Sequence, residues 1–142
     1  MLAARQQMKL FSLKTSNEVA VQRYEMVDKI KLYQKPTCSK CREAIWVLKE
    51  RGADFESINY YETPLAEKDL KALIKKLGIA PRELLRKNEQ VYRDLGLAKR
   101  ELSEDDLIRL MIENPDLMQR PIVVKGNKAV LARPIENLDE LV

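Results

Sequence analysis

Two cysteines spaced C-x-x-C, in Pro36-Thr37-Cys38-Ser39-Lys40-Cys41-Arg42, stand between a strand-like run and a helix-like run. Lys29-Ile30-Lys31-Leu32-Tyr33 precedes them and Arg42 to Arg51 follows at once. This order constrains the chain more than any other feature, because it puts Cys38 where a strand gives way to a helix N-terminus. Unpaired backbone N–H groups and the helix dipole favour an anion there. A thiol at that point ionises more readily, and the thiolate is the nucleophile. Lys35, Lys40 and Arg42 add positive charge nearby. The junction therefore offers an activated sulfur beside an anion-binding backbone.

Other uses of a C-x-x-C pair are half of a structural zinc site and two small apolar helix residues. Zinc normally takes four Cys or His ligands. With two cysteines and no histidine, a complete site in one chain would need carboxylates. The strand–loop–helix setting favours redox or nucleophilic chemistry, and no metal is expected.

The chain has 142 residues, enough for one domain with its own core. Its cysteines form no extracellular disulfide framework, so a reducing cytoplasm is the expected home. No apolar stretch approaches bilayer-spanning length, so no membrane association is expected. The net charge of +4 is spread among interleaved acids and bases, which argues against nucleic-acid binding. Residues 1–28 read as an N-terminal extension, disordered or the product of a mis-assigned start at Met1 rather than Met26. They lack the apolar core and cleavage pattern of a signal peptide.

Periodicity gives the order of elements. Asp54 to Tyr60 reads as a second strand. Thr63-Pro64 signals a helix start, and Leu70, Leu73, Ile74 and Leu77 define one apolar helix face. Short helices are expected from Pro81 and over 88–95. Ser103 caps another that runs to about Glu113, with Leu107, Leu110 and Met111 inward. Pro121 to Lys125 and Lys128 to Leu131 form a hairpin around Gly126-Asn127, and a closing helix follows Pro134. The result is β-α-β, a helical insertion, then β-β-α: an α/β thioredoxin-like fold over residues 29–142 with a four-stranded mixed sheet. The cysteine mouth falls at the C-terminal edge of the first strand, where open α/β sheets bind ligands.

Four motifs in order carry a resemblance to a known family. They are Pro36-Thr37-Cys38-Ser39-Lys40, Glu83-Leu84-Leu85-Arg86, Gln119-Arg120-Pro121-Ile122-Val123-Val124 and Leu131-Ala132-Arg133-Pro134. From Lys29 to Val142, about four-fifths of the sequence, the chain resembles the ArsC-type arsenate reductases. The resemblance implies that Cys38 is the nucleophile and that Arg86, Arg120 and Arg133 bind arsenate. Arginine suits the task, since its planar fork holds two oxyanion oxygens at once. The resemblance also implies a cis bond at Arg120-Pro121, where sequence alone suggests a trans proline at a strand start. The implied enzyme binds no organic cofactor and is regenerated by glutathione with glutaredoxin, or by thioredoxin; a monomer is expected.

Cys41 departs from the family pattern, in which one cysteine in this motif commonly suffices. It resembles a resolving cysteine, and it also resembles the Spx branch of the superfamily. Those members are redox-sensing transcription regulators that bind the RNA polymerase α subunit. Two further expectations thus stand beside the enzyme: such a regulator, or a thiol oxidoreductase of this family with another substrate.

Overall fold

In a computed structural model, which describes residues 29–142, the central strand is β1 (Ile30–Gln34). It pairs in parallel with β2 (Phe55–Asn59), from Ile30 opposite Phe55 to Gln34 opposite Asn59. Parallel neighbours need a crossover, which is supplied by α1 (Ser39–Glu50). Cys41, Ala44 and Leu48 form its buried face, at a spacing that lines one side of a helix. Gly52, at a positive φ of 67°, turns the chain out of that helix. The reading of residues 1–28 lies outside the described residues.

A helical block follows: α2 (Glu67–Leu77), a 3-10 turn (Pro81–Leu84), α3 (Gln90–Asp94), α4 (Glu104–Glu113) and a second 3-10 turn (Pro115–Leu117). The chain then returns as β3 (Ile122–Lys125) and β4 (Lys128–Leu131), and closes with a 3-10 helix (Ile135–Glu140). The four strands lie in the order β2-β1-β3-β4. β3 runs antiparallel to both its neighbours, with Ile122 opposite Tyr33 and Leu131. This is the thioredoxin-like mixed sheet expected from the order of elements.

Each face of the sheet carries its own core. Ile30, Leu32, Val123 and Val130 pack with Ala44 and Leu48 of α1 and with Leu138. Ile122, Val124 and Ala129 face the helical block, meeting Leu70, Leu73, Leu107 and Met111 among others. β3 is thus buried on both faces, as its run of β-branched residues suggests. Each fully buried leucine or isoleucine contributes about 1.5–3 kcal/mol.

Two helix boundaries differ from the sequence expectation. α2 starts at Glu67, after an extended Ala66, and not at Thr63-Pro64. The N–H groups of Glu62 and Thr63 are already committed to Asn59 O, at 3.2 and 2.9 Å, closing a turn after β2. The closing helix is a six-residue 3-10 segment. Asn137 Nδ2 donates to Leu131 O at 2.8 Å, which ties that segment to the end of β4. Ser103 does cap α4, its Oγ accepting from Asp106 N at 3.1 Å.

Candidate active site

Cys38 is the N-cap of α1, in extended conformation (φ −81°, ψ 122°). Its own N–H donates to Lys35 O at 3.0 Å, and its carbonyl accepts the first helical bond from Arg42 N at 3.1 Å. No acidic residue occupies the first turn of α1, so the positive end of the dipole is uncompensated there. The sulfur stands where an Asp or Ser side chain would cap a helix. It completes no cap hydrogen bond, yet the Cys41 and Lys40 N–H groups act on it at short range.

The two thiols are driven apart in acidity. Burial pushes the Cys38 thiol up, but the Cys41 thiol, the N–H groups of Cys41 and Lys40, and the charge of Arg120 outweigh it. The net result is a Cys38 pKa below its ordinary value. Cys41 is fully buried, and burial first, then the Cys38 side chain, pushes its pKa up to about 12. Such a split makes Cys38 the more readily ionised sulfur and leaves Cys41 the one that keeps its proton.

Arg120 is the sole buried charged residue among those described, at 7% exposure. Its Nη1 makes one long hydrogen bond to Met118 O, 3.4 Å, and its Nε has no partner among the described residues. No carboxylate lies within ion-pair distance of it among the described residues. A desolvated guanidinium with donors to spare is costly unless an anion completes it.

Backbone pairing gathers the other arginines. A bridge between Leu85 and Met118, with Arg86 N donating to Leu117 O at 2.7 Å, sets Arg86 beside the strand that carries Arg120. At the hairpin base, Ala132 N donates to Pro121 O at 3.0 Å, so Arg120 and Arg133 leave the sheet at the same end. Arg86, Gln119 and Arg133 line one cleft of about 360 Å³. Arg86 is braced there by Glu89, Nε to Oε1 2.9 Å, while Arg133 is exposed. The five residues expected from sequence therefore form two adjoining groups. Cys38, Cys41 and Arg120 act on one another directly, and Arg86 and Arg133 share the cleft alongside. The peptide bonds Arg120-Pro121 and Arg133-Pro134 are both cis; the second was not expected.

Lys35 and Lys40 do not act as free charges beside the sulfur. Lys35 Nζ bonds Asp116 Oδ1 at 3.1 Å and lies 5.0 Å from the centre of the Tyr61 ring. Tyr61 donates its hydroxyl to the same Asp116 oxygen. Lys40 pairs with Glu43 at 3.5 Å on the surface. Tyr60, buried at the C-terminal end of β2, was not among the sequence candidates. The signal that could have found it is its position, a hydroxyl-bearing residue at the ligand-binding edge of the sheet. Among the described residues, no cluster of three or more His, Cys, Asp or Glu is placed to hold a metal ion.

The model of the ArsC family matches residues 33–141. The chain belongs to the ArsC family. This ArsC-family protein is 46% identical over 118 residues to the uncharacterized protein YfgD of Escherichia coli, covering 82% of this chain and 99% of that one. It is 40% identical over 111 residues to an arsenate reductase of Neisseria meningitidis, 78% of this chain and 95% of the relative. The solved arsenate reductase from Vibrio cholerae superposes with a TM-score of 0.77 at 36% identity, over 81% of this chain and 98% of that one.

Proposed function

We propose that this ArsC-family protein is an arsenate reductase, with Cys38 as nucleophile and Arg86, Arg120 and Arg133 as the oxyanion-binding set. The observation that carries this reading is Arg120: a buried guanidinium, short of partners, whose charge acts on the Cys38 thiolate. A tetrahedral oxyanion supplies what that guanidinium lacks and brings an electrophilic centre to the sulfur. The neighbouring arginines of the cleft then hold the remaining oxygens.

In the first step the Cys38 thiolate attacks arsenic(V), forming a sulfur–arsenic bond. A hydroxide leaves and takes up a proton as water. In the second step a thiolate attacks the Cys38 sulfur. The sulfur–arsenic bond breaks with its electron pair passing to arsenic, so arsenic(III) is released as arsenite while a disulfide forms. The attacking thiol is Cys41 or an external thiol such as glutathione, whose proton passes to an arsenite oxygen. Cys41 lies within hydrogen-bonding influence of Cys38, and two of the effects that raise its pKa come from Cys38 itself. Capture of Cys38 by arsenic removes that thiolate charge and eases ionisation of Cys41. A glutaredoxin or thioredoxin then reduces the disulfide by exchange.

The paired cysteines equally suit an Spx-like redox regulator, and Arg120 is what favours the enzyme: a disulfide switch has no need of a buried, anion-seeking guanidinium. Arsenate turnover measured side by side with glutathione–glutaredoxin and with thioredoxin tests the proposal. Reduction is expected with at least one donor and is abolished in Cys38→Ser. No turnover with either donor, together with retention of the RNA polymerase α subunit in a pull-down, would establish the regulator instead.

A further inference from the structure

Two buried side-chain polar atoms among the described residues have no hydrogen-bond partner: Arg120 Nε and the Tyr60 hydroxyl. Tyr60 is 3% exposed and Arg120 7%. Native structures leave very few such groups, and each calls for a partner. These two belong together. The Arg120 guanidinium acts on the Tyr60 hydroxyl at close range, although the pair does not reach hydrogen-bonding geometry. The same guanidinium acts on Cys38, and Cys41 acts on Tyr60.

Topology explains the meeting. Tyr60 directly follows β2, and β2 lies parallel to β1, whose C-terminal end leads to Cys38. Arg120 enters from the far side of β1, just before β3. Three chain segments thus deliver a thiol pair, a guanidinium and a phenol to one edge of the sheet. The Tyr61 ring stacks beside Tyr60, centroids 5.0 Å apart. Tyr61 is itself held by Asp116, so the pair of rings has little freedom to turn away.

We propose that Tyr60 is a further oxyanion-binding residue, its hydroxyl donating a hydrogen bond to the same bound anion that Arg120 Nε contacts, on the wall beneath Cys38. Phenol and guanidinium are both donors at neutral pH. Side by side, the two donors are complementary to an oxyanion oxygen. This inference rests on the oxyanion site proposed above and names the deep half of it. It adds to the charged donors Arg86, Arg120 and Arg133 a neutral one.

The test uses the full chain and two probes, arsenate and inorganic phosphate. Alkylation of Cys38 by iodoacetamide is followed by peptide mass spectrometry at increasing oxyanion concentration, in the parent and in Tyr60→Phe. The variant should need about tenfold more of either anion for half-protection, as for the loss of one hydrogen bond to a charged group. Its melting temperature should be unchanged or higher, because the hydroxyl it loses has no partner in the free protein. KM for arsenate should rise in parallel. Equal protection of parent and variant overturns the inference, leaving solvent as the partner of both atoms. So does a melting temperature several degrees lower, which would reveal a structural bond, or a parent that neither anion protects. If the parent is protected and the variant is not, but arsenate is never reduced, the anion site stands and the reductase reading falls. If arsenate is reduced with the same KM by both, the reductase stands and the role of Tyr60 falls.

Discussion

Arg120→Met separates function from stability more cleanly than any other single change. Methionine follows the aliphatic path of arginine and is at home in a buried site. In the free protein the guanidinium has one hydrogen bond, at 3.4 Å, and an unpartnered Nε. Replacing it removes the cost of a desolvated charge and little else, in line with buried charges exchanged for apolar groups of similar shape. A gain of about 1 kcal/mol would raise the melting temperature of a domain of this size by roughly 3–6 °C. Activity should move the other way. Two charge-assisted contacts to arsenate, taken near the low end of about 1.5–3 kcal/mol each, sum to about 3 kcal/mol. That is roughly a hundredfold in kcat/KM. The Cys38 thiolate also loses one source of support, so its alkylation midpoint should shift to higher pH, though helix N–H groups still favour the ion. Differential scanning fluorimetry, steady-state kinetics and a pH series of iodoacetamide alkylation read the three effects. A melting temperature several degrees lower, with kcat/KM unchanged, would make Arg120 a scaffold residue and refute the reasoning.

Three further outcomes are expected. Cys41→Ser should lose thioredoxin-coupled turnover and keep any glutathione–glutaredoxin activity, and single turnover of the parent should leave a Cys38–Cys41 disulfide; unchanged thioredoxin kinetics would discard the resolving role. Cys41 and Tyr60 hold their protons to about 12 in the fold, against ordinary values of 9.0 and 10.0. The folded chain therefore binds more protons than the unfolded one in that window, and stability falls as pH rises through it. Cys38 works in the opposite sense: its stabilisation is present above 9.0 and is lost as pH falls through its lowered folded value. Urea midpoints should thus decline above about pH 9, and Cys41→Ala should flatten the first part of that decline; identical curves would mean Cys41 ionises freely. Ser103→Ala should cost about 1 kcal/mol through loss of the α4 cap, and an unaltered melting temperature would show that water substitutes for the hydroxyl.

The elements and their order are legible in the amino-acid sequence, because the signals involved act within a few residues. Cys38 at a strand–helix junction, the Leu70-Leu73-Ile74 face of α2, the Ser103 cap and the Gly126-Asn127 turn are all local. The motifs around Arg86, Arg120 and Arg133 carried the family. What each charge does depends instead on contacts made across the fold. Arg120 and Arg133 both precede a proline at the hairpin base, yet the first is buried and the second exposed, a difference that no local signal carries. Lys35 looks like an activating charge from its place beside Cys38, but Asp116, 81 residues further along the chain, is folded against it. Tyr60 reads as one more strand aromatic until β2 is laid next to β1, and then its hydroxyl stands among the site residues. Secondary structure follows from neighbours in sequence. Desolvation and charge pairing follow from neighbours in space, and those set which of several like residues the chemistry uses.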